Sequence, residues 1–377
     1  MNSAISAHSF KTTTSEAVAD LLEQLGPGNP VVVVFFCQPD HDGQVVAAAI
    51  KERFPSAQVL GCSTAGEISN QGSTTGTLCA IALPKSLIRR AGSAFADYQQ
   101  GGVRQALGGA LQSLSRSLEI DPRTADPQRY VGLVLIDGSH GTEEETNAHL
   151  GDMAPFLSFV GGSAGDNLKF KQTYVYGPGT TLKKGCALCV LDLAVPFQVL
   201  KTCHFQATQK RMVATKAQGR VVYEFDGAPA TEAYAAALGV RPEQLDFDLF
   251  FKNPLGLIIE GKPWLRSPQR ADPQARSMTF ACEVWEGSEV FVMTRTGDLV
   301  EDSRQALERV REELGTRVGA ALLFNCVHRR VELDRSKGHE EFVRLFDFPM
   351  AGFHTYGECW LGHINQTLTA LVLGQAQ

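Results

Sequence analysis

Three short stretches place a glycine-rich turn, a hydroxyl and an acid in the same order. They are Gly61-Cys62-Ser63-Thr64-Ala65-Gly66-Glu67, Gly161-Gly162-Ser163-Ala164-Gly165-Asp166 and Gly352-Phe353-His354-Thr355-Tyr356-Gly357-Glu358. Glycine lets a backbone approach a ligand closely, so such turns could face a small polar molecule; structurally, they are strand-end turns whose acids accept local amide hydrogen bonds. Asn325, Cys326, His328 and Arg329 have the types of a cysteine-histidine nucleophile, although members of such a dyad meet in space rather than along the chain. Arg266 and Arg270, with Arg329, offer guanidinium forks that match a carboxylate. Cys186 and Cys189 lack a second Cys/His pair at zinc-finger distance and, on a strand, point to opposite faces, so no zinc site is expected there. The chain has no Walker loop, zincin helix or nucleophile elbow, and Gly161 to Gly165 is not a dinucleotide fingerprint.

The turns need strands and helices to hold them. Val31 to Cys37 reads as a buried strand, Gly43 to Phe54 as a helix with Val46, Ile50 and Phe54 on one face, and Ala57 to Leu60 as a strand running into Gly61. Val131 to Ile136 restarts the pattern, and Thr142 with Glu145 has the spacing of a capping box opening a helix to Met153. Ala320 to Cys326, a helix near Glu340 to Phe346, and Gly352 complete a third copy. Phe36 to Gly61 and Ile136 to Gly161 are both 25 residues apart and Phe324 to Gly352 is 28, which marks an internal repeat. Between copies, Lys262 to Ser277 holds three prolines and four basic residues and reads as a long functional loop. The expected fold is α/β (mixed α+β), with central β-sheets, outer helices and two related halves built from strand-helix-strand-glycine-turn units.

Composition narrows the function classes. At 377 residues the chain exceeds the roughly 250–300 at which one core stops growing. Its 35 basic against 41 acidic residues argue against a general nucleic-acid or anionic-membrane binder. No apolar run approaches the ~18 residues that span a bilayer, and no export signal opens the sequence. Nine cysteines, mostly in apolar strand-like runs, suit a reducing cytoplasm.

The turn motifs, together with Phe324-Asn325-Cys326, Arg329 and His363-Ile364-Asn365-Gln366-Thr367, carry a resemblance to stand-alone FIST proteins. The resemblance implies a lead-in with a helix over 1–29, a FIST N-terminal domain over 30–219 and a FIST C-terminal domain over 220–377. It also implies an intracellular sensor of small ligands without catalytic residues. A bacterial branch of the family resembles haem-binding nitric-oxide sensors that regulate a partner histidine kinase and cyclic-di-GMP signalling. In that reading haem b needs an axial histidine, and His363, His354 and His328 are the candidates, His363 being the metal ligand; His204 is a further histidine in an apolar strand. Ligand-facing positions are Ser63, Thr64, Glu67, Ser163, Asp166, Asn167, Arg266, Asn325, Cys326, Arg329, Tyr356, Glu358 and Asn365. Two other readings stand beside it: a sensor of amino acids or other small anions, and a cysteine-dependent hydrolase using Cys326 or Cys62.

Overall fold

Six consecutive apolar residues, Val32–Cys37, form a strand buried on both sides. Val32, Val34 and Phe36 enter one core, while Val33, Phe35 and Cys37 enter another, as the two-residue period of a strand requires. Asp42 caps the next helix, Gly43–Arg53, by accepting from the amides of Gln44 and Val45. The chain then returns as Gln58–Ser63, parallel to Val32–Cys37. Tyr130–Ile136, Glu143–Met153 and Ser158–Ser163 repeat this arrangement. So do Val318–Cys326 and Met350–Thr355, which two helices, Val327–Ser336 and His339–Arg344, connect.

The computed structural model describes residues 3–376, so the outermost residues of the lead-in and of the C-terminal domain lie outside it. The chain divides into two compact units that are discontinuous in sequence. The first comprises 1–202, 303–363 and 368–377, and the second 203–302 and 364–367. All three repeat copies belong to the first unit. The expected lead-in helix is Thr14–Leu25.

In the first unit each parallel pair centres one sheet, and the strand on its far side comes from another copy. Gln58–Ser63 pairs with Val175–Gly177, which follows the second turn. Ser158–Ser163 pairs with Glu358–Trp360, which follows the third. Met350–Thr355 pairs with Glu67–Ser69, which follows the first. Each turn therefore passes the chain to a different sheet. The inner faces meet in one core, where Val34 and Phe36, Leu133 and Leu135, and Leu322 and Phe324 are all buried.

The second unit is an antiparallel sheet ordered Lys262–Arg266, Leu255–Ile259, Glu289–Arg295, Phe205–Gln218, Val221–Phe225, Ser277–Phe280, Pro268–Asp272. Its core includes Val222, Phe225, Tyr234, Phe250 and Phe280. The long loop expected over Lys262 to Ser277 is instead made of strands. Its prolines fit because Pro263 and Pro268 lie on the two edge strands, where a missing amide costs no ladder bond. The capping box at Thr142 is also absent. Thr142 has φ −99° and ψ 5° rather than an extended backbone, and its hydroxyl makes no cap bond.

Candidate functional site

The three turns close a ring of backbone hydrogen bonds. Ser63, Ser163 and His354 occupy the same place in the three copies. The amide of Gly165 donates to the Ser63 carbonyl at 2.9 Å, that of Tyr356 to the Ser163 carbonyl at 3.1 Å, and that of Ala65 to the His354 carbonyl at 3.0 Å. Each acceptor is bonded by the residue two positions along in the next copy. The glycine that opens each turn sits on its parallel neighbour: a Cβ would meet the Phe35 carbonyl at 2.5 Å from Gly61, that of Val134 at 1.7 Å from Gly161, and that of Leu323 at 2.2 Å from Gly352.

The acids of the turns look inward. Glu67 accepts from the Thr64 hydroxyl and from the amide and hydroxyl of Thr77, at 3.1 and 2.6 Å. Glu358 accepts from Thr355 in the corresponding place. Glu67 is fully buried and its pKa is pushed up to about 7 by desolvation, against the pull of those donors and of Arg330. Burial works to raise Asp166, but the Tyr356 hydroxyl and the amides of Lys171, Gln172 and Phe170 outweigh it and hold the carboxyl below its ordinary range. Phe170 stacks on Tyr356 with ring centres 4.6 Å apart. These acids brace their turns.

One chain of side-chain bonds runs from this interior to the surface. Arg329, wholly buried, donates through Nε to Asn325 Oδ1 at 2.8 Å and through a terminal nitrogen to Ser303 at 2.7 Å. Because the Asn325 oxygen is thereby committed, its Nδ2 donates to His354 Nδ1 at 3.0 Å. His354 Nε2 lies 2.8 Å from Ser73 Oγ, Ser73 Oγ lies 2.8 Å from His339 Nδ1, and His339 Nε2 lies 2.7 Å from Asp334 Oδ1. With a guanidinium that only donates at one end and a carboxylate that only accepts at the other, one set of directions satisfies every pair. His354 is then neutral with its proton on Nε2, consistent with burial and the charges of Arg330, His339 and Arg329, which hold its basicity well below the usual histidine range.

Local folding explains the outer end. The helix Val327–Ser336 stops at Lys337, in the left-handed region with φ 58°, and Gly338 donates back to Leu333. This reversal brings His339 over Asp334. Arg330, on the same helix, donates to the Ala65 carbonyl at 2.6 Å and to Asn167 Oδ1 at 2.9 Å, and its Nε is 3.5 Å from Asp334. Ser73 is half-buried on the strand Gly72–Thr74, whose alternation sends Thr74 toward Thr77 and His8 instead.

The structure thus brings together Ser63, Thr64, Glu67, Ser163, Asp166, Asn167, Asn325, Arg329, His354, Tyr356 and Glu358 in the first unit. Arg266 and Asn365 belong to the second unit. Arg266 is buried and donates to the carbonyls of Glu283 and Leu265, so it is bonded within its own unit rather than lying in a solvated loop. Asn365 accepts from Cys282 at 2.7 Å. Cys62 is fully buried, and desolvation keeps it a thiol, unsuited to nucleophilic attack. Cys326 is buried at the start of the helix that carries Arg329. Ser73, Arg330, Asp334 and His339 were missed as sequence candidates; the hydroxyl run between Gly72 and Gly76, directly after the first turn, was the available signal.

Among the haem candidates, His354 does not fit an axial ligand, because both ring nitrogens have protein partners. His328 is kept neutral by desolvation, which lowers its pKa to about 4, and a neutral imidazole is the form that binds iron. His363 is buried with its ring against Gly357, where a Cβ would come 2.0 Å from Cε1, and it lies within 4.8 Å of the Glu144 carboxylate.

Residues 31–228 match the FIST N domain and residues 230–360 the FIST C domain. The chain belongs to the FIST family, whose domains are sensory modules of signal transduction. It is 25% identical over 355 residues to the uncharacterized protein MJ1623 of Methanocaldococcus jannaschii, a match covering 82% of this chain and 65% of that protein. It therefore spans about 65% of the length of that curated relative. A solved structure described as cyanuric acid hydrolase, an evolutionary innovation by structural concatenation, is similar over 98% of both chains at 11% identity and a TM-score of 0.36. Among the described residues no helix is long and apolar enough to cross a membrane.

Proposed function

We propose that the protein senses a small anionic molecule, such as an amino acid or other carboxylate, at the outer end of the Asp334–His339–Ser73–His354 chain. The observation that carries this reading is the continuity of that chain with the ring joining the three turns. Arg330 spends its short bonds on two neutral oxygens, and a ligand carboxylate is a stronger acceptor than either. Drawing Arg330 away releases the Ala65 carbonyl and Asn167, which flank the joined turns. A ligand that binds this released state more tightly shifts the populations of two conformations. A separate signalling protein, a histidine kinase or a component of cyclic-di-GMP signalling, reads the change.

Haem b with nitric oxide as the signal is the second reading, favoured by the neutral imidazole of His328. Titration calorimetry with amino acids and small carboxylates, beside a haem titration followed in the Soret region, separates the two. Stoichiometric carboxylate binding that is lost in Arg330→Ala supports the anion sensor. No carboxylate binding, with a Soret shift at one haem per chain abolished by His328→Ala or His363→Ala, transfers the reading to haem.

A further inference from the structure

We propose that Ser73 is a covalent nucleophile, activated by His339 and Asp334, that acts on small acyl esters. Three groups converge on its oxygen environment in the roles such chemistry requires. His339 Nδ1, 2.8 Å away, faces the hydroxyl as a base. Asp334 Oδ1, 2.7 Å from His339 Nε2, fixes the tautomer that leaves Nδ1 without a proton and stabilises the imidazolium once Nδ1 takes one. The third group is His354, whose Nε2 is 2.8 Å from the same oxygen.

The direction of the bonds makes this more than a cluster of polar residues. Arg329 commits the Asn325 oxygen, Asn325 commits His354 Nδ1, and His354 is left to donate from Nε2 to Ser73. Ser73 Oγ therefore accepts one hydrogen bond from a buried imidazole and directs its own proton toward a base. The donor stabilises negative charge developing on Oγ as the proton leaves. A hydroxyl serving only to link strands needs neither a base oriented by a carboxylate nor a donor oriented by a buried guanidinium. The three outer groups are reachable: Ser73 is half-buried, and the side chains of His339 and Asp334 are 25% and 48% exposed.

The reaction balances with water as the second reactant. Ser73 Oγ bonds to the ester carbonyl carbon while its proton passes to His339 Nδ1. Collapse of the tetrahedral adduct breaks the bond to the alkoxide, which leaves with the proton from His339. Water then attacks the acyl-Ser73 carbonyl, giving a proton to His339, and expulsion of Ser73 returns that proton to Oγ and releases the carboxylic acid. Charge and atoms close over the two steps, and no oxidant, metal or cofactor enters.

The inference does not depend on the sensor reading. A fluorophosphonate probe tests it on the full chain, because Ser73 attack forms an O–P bond and expels fluoride, with His339 taking the proton. Peptide mapping of the wild-type protein is expected to find the label on Ser73, with none at that position in Ser73→Ala. His339→Gln is expected to slow labelling by roughly 100-fold or more, and Asp334→Asn by a smaller factor. Wild-type protein that stays unmodified at Ser73 overturns the proposal, as does folded His339→Gln that labels at the wild-type rate. If the variants fail to fold, the wild-type peptide map alone decides. Carboxylate binding that persists in an unlabelled protein removes the nucleophile and leaves the sensor standing.

Discussion

Glu67 shows how a motif residue can be both legible and misread. Its place three residues after a threonine was visible in the sequence, and the Thr64 contact is local; its burial was not visible, since the other donors come from Thr77. The consequence is a stability that depends on pH in an unusual direction. With a folded value of about 7 against 4.5 when unfolded, native Glu67 keeps its proton in a range where the unfolded chain has lost it. Stability therefore falls as pH rises from about 4.5 to 7 and is level above, a loss on the order of 3 kcal/mol. His8 acts in the opposite sense. Its pKa is lowered to about 4 by burial, so the unfolded chain binds a proton below 6.5 that the native state refuses, and stability falls toward acid. Urea unfolding of wild type and Glu67→Gln at pH 5 and pH 8 isolates the first effect. The advantage of wild type over the variant should shrink by about 3 kcal/mol at the higher pH, and an unchanged difference refutes it. The Ser73–His339 pair had no comparable local signal, because 266 positions separate its members.

Elements were more legible than contacts. The apolar runs at Val31 to Cys37 and Val131 to Ile136 announced strands, the first of them buried, and their similar spacing announced their repetition; that the strands pair in parallel came from the structure. The reading failed where a rule of composition met an edge: prolines that suggested a loop at Lys262 to Ser277 sit on strands with no further neighbour. It failed again at Thr142, whose hydroxyl has the right spacing and the wrong backbone angles. Where spacing and geometry agree, the turn-opening glycines give a graded prediction. Gly161→Ala, Gly352→Ala and Gly61→Ala place a methyl at 1.7, 2.2 and 2.5 Å from the carbonyl of the paired strand. Each should destabilise by about 1–3 kcal/mol or more, in that order. Thermal denaturation of the three variants measures the ranking, and a neutral Gly161→Ala would show that the strand pair yields without cost.

At the scale of the molecule, length alone called for more than one core, and the repeat suggested two related halves, whereas all three copies lie in the first unit. Neither indicated that the chain leaves the first unit, builds the second and returns to complete the first, because such a path depends on pairings between distant strands. The three tryptophans allow the units to be followed separately: Trp360 packs on the central core of the first, whereas Trp264 and Trp285 lie in the second. Fluorescence-detected urea unfolding should give different midpoints for Trp360→Phe and for the double variant Trp264→Phe with Trp285→Phe, the latter unfolding last because it reports the larger core. Coincident midpoints would mean one cooperative transition. The exchange of strands between copies also sets a schedule for biosynthesis. Asn70, beside the strand Glu67–Ser69, receives its bond from Met350, 280 residues later. At ~5–20 residues per second, the ribosome needs roughly 15–60 s to supply that partner. For that interval the strand Glu67–Ser69 lacks its Met350–Thr355 partner, and an unpaired strand edge is a template for pairing with the wrong strand.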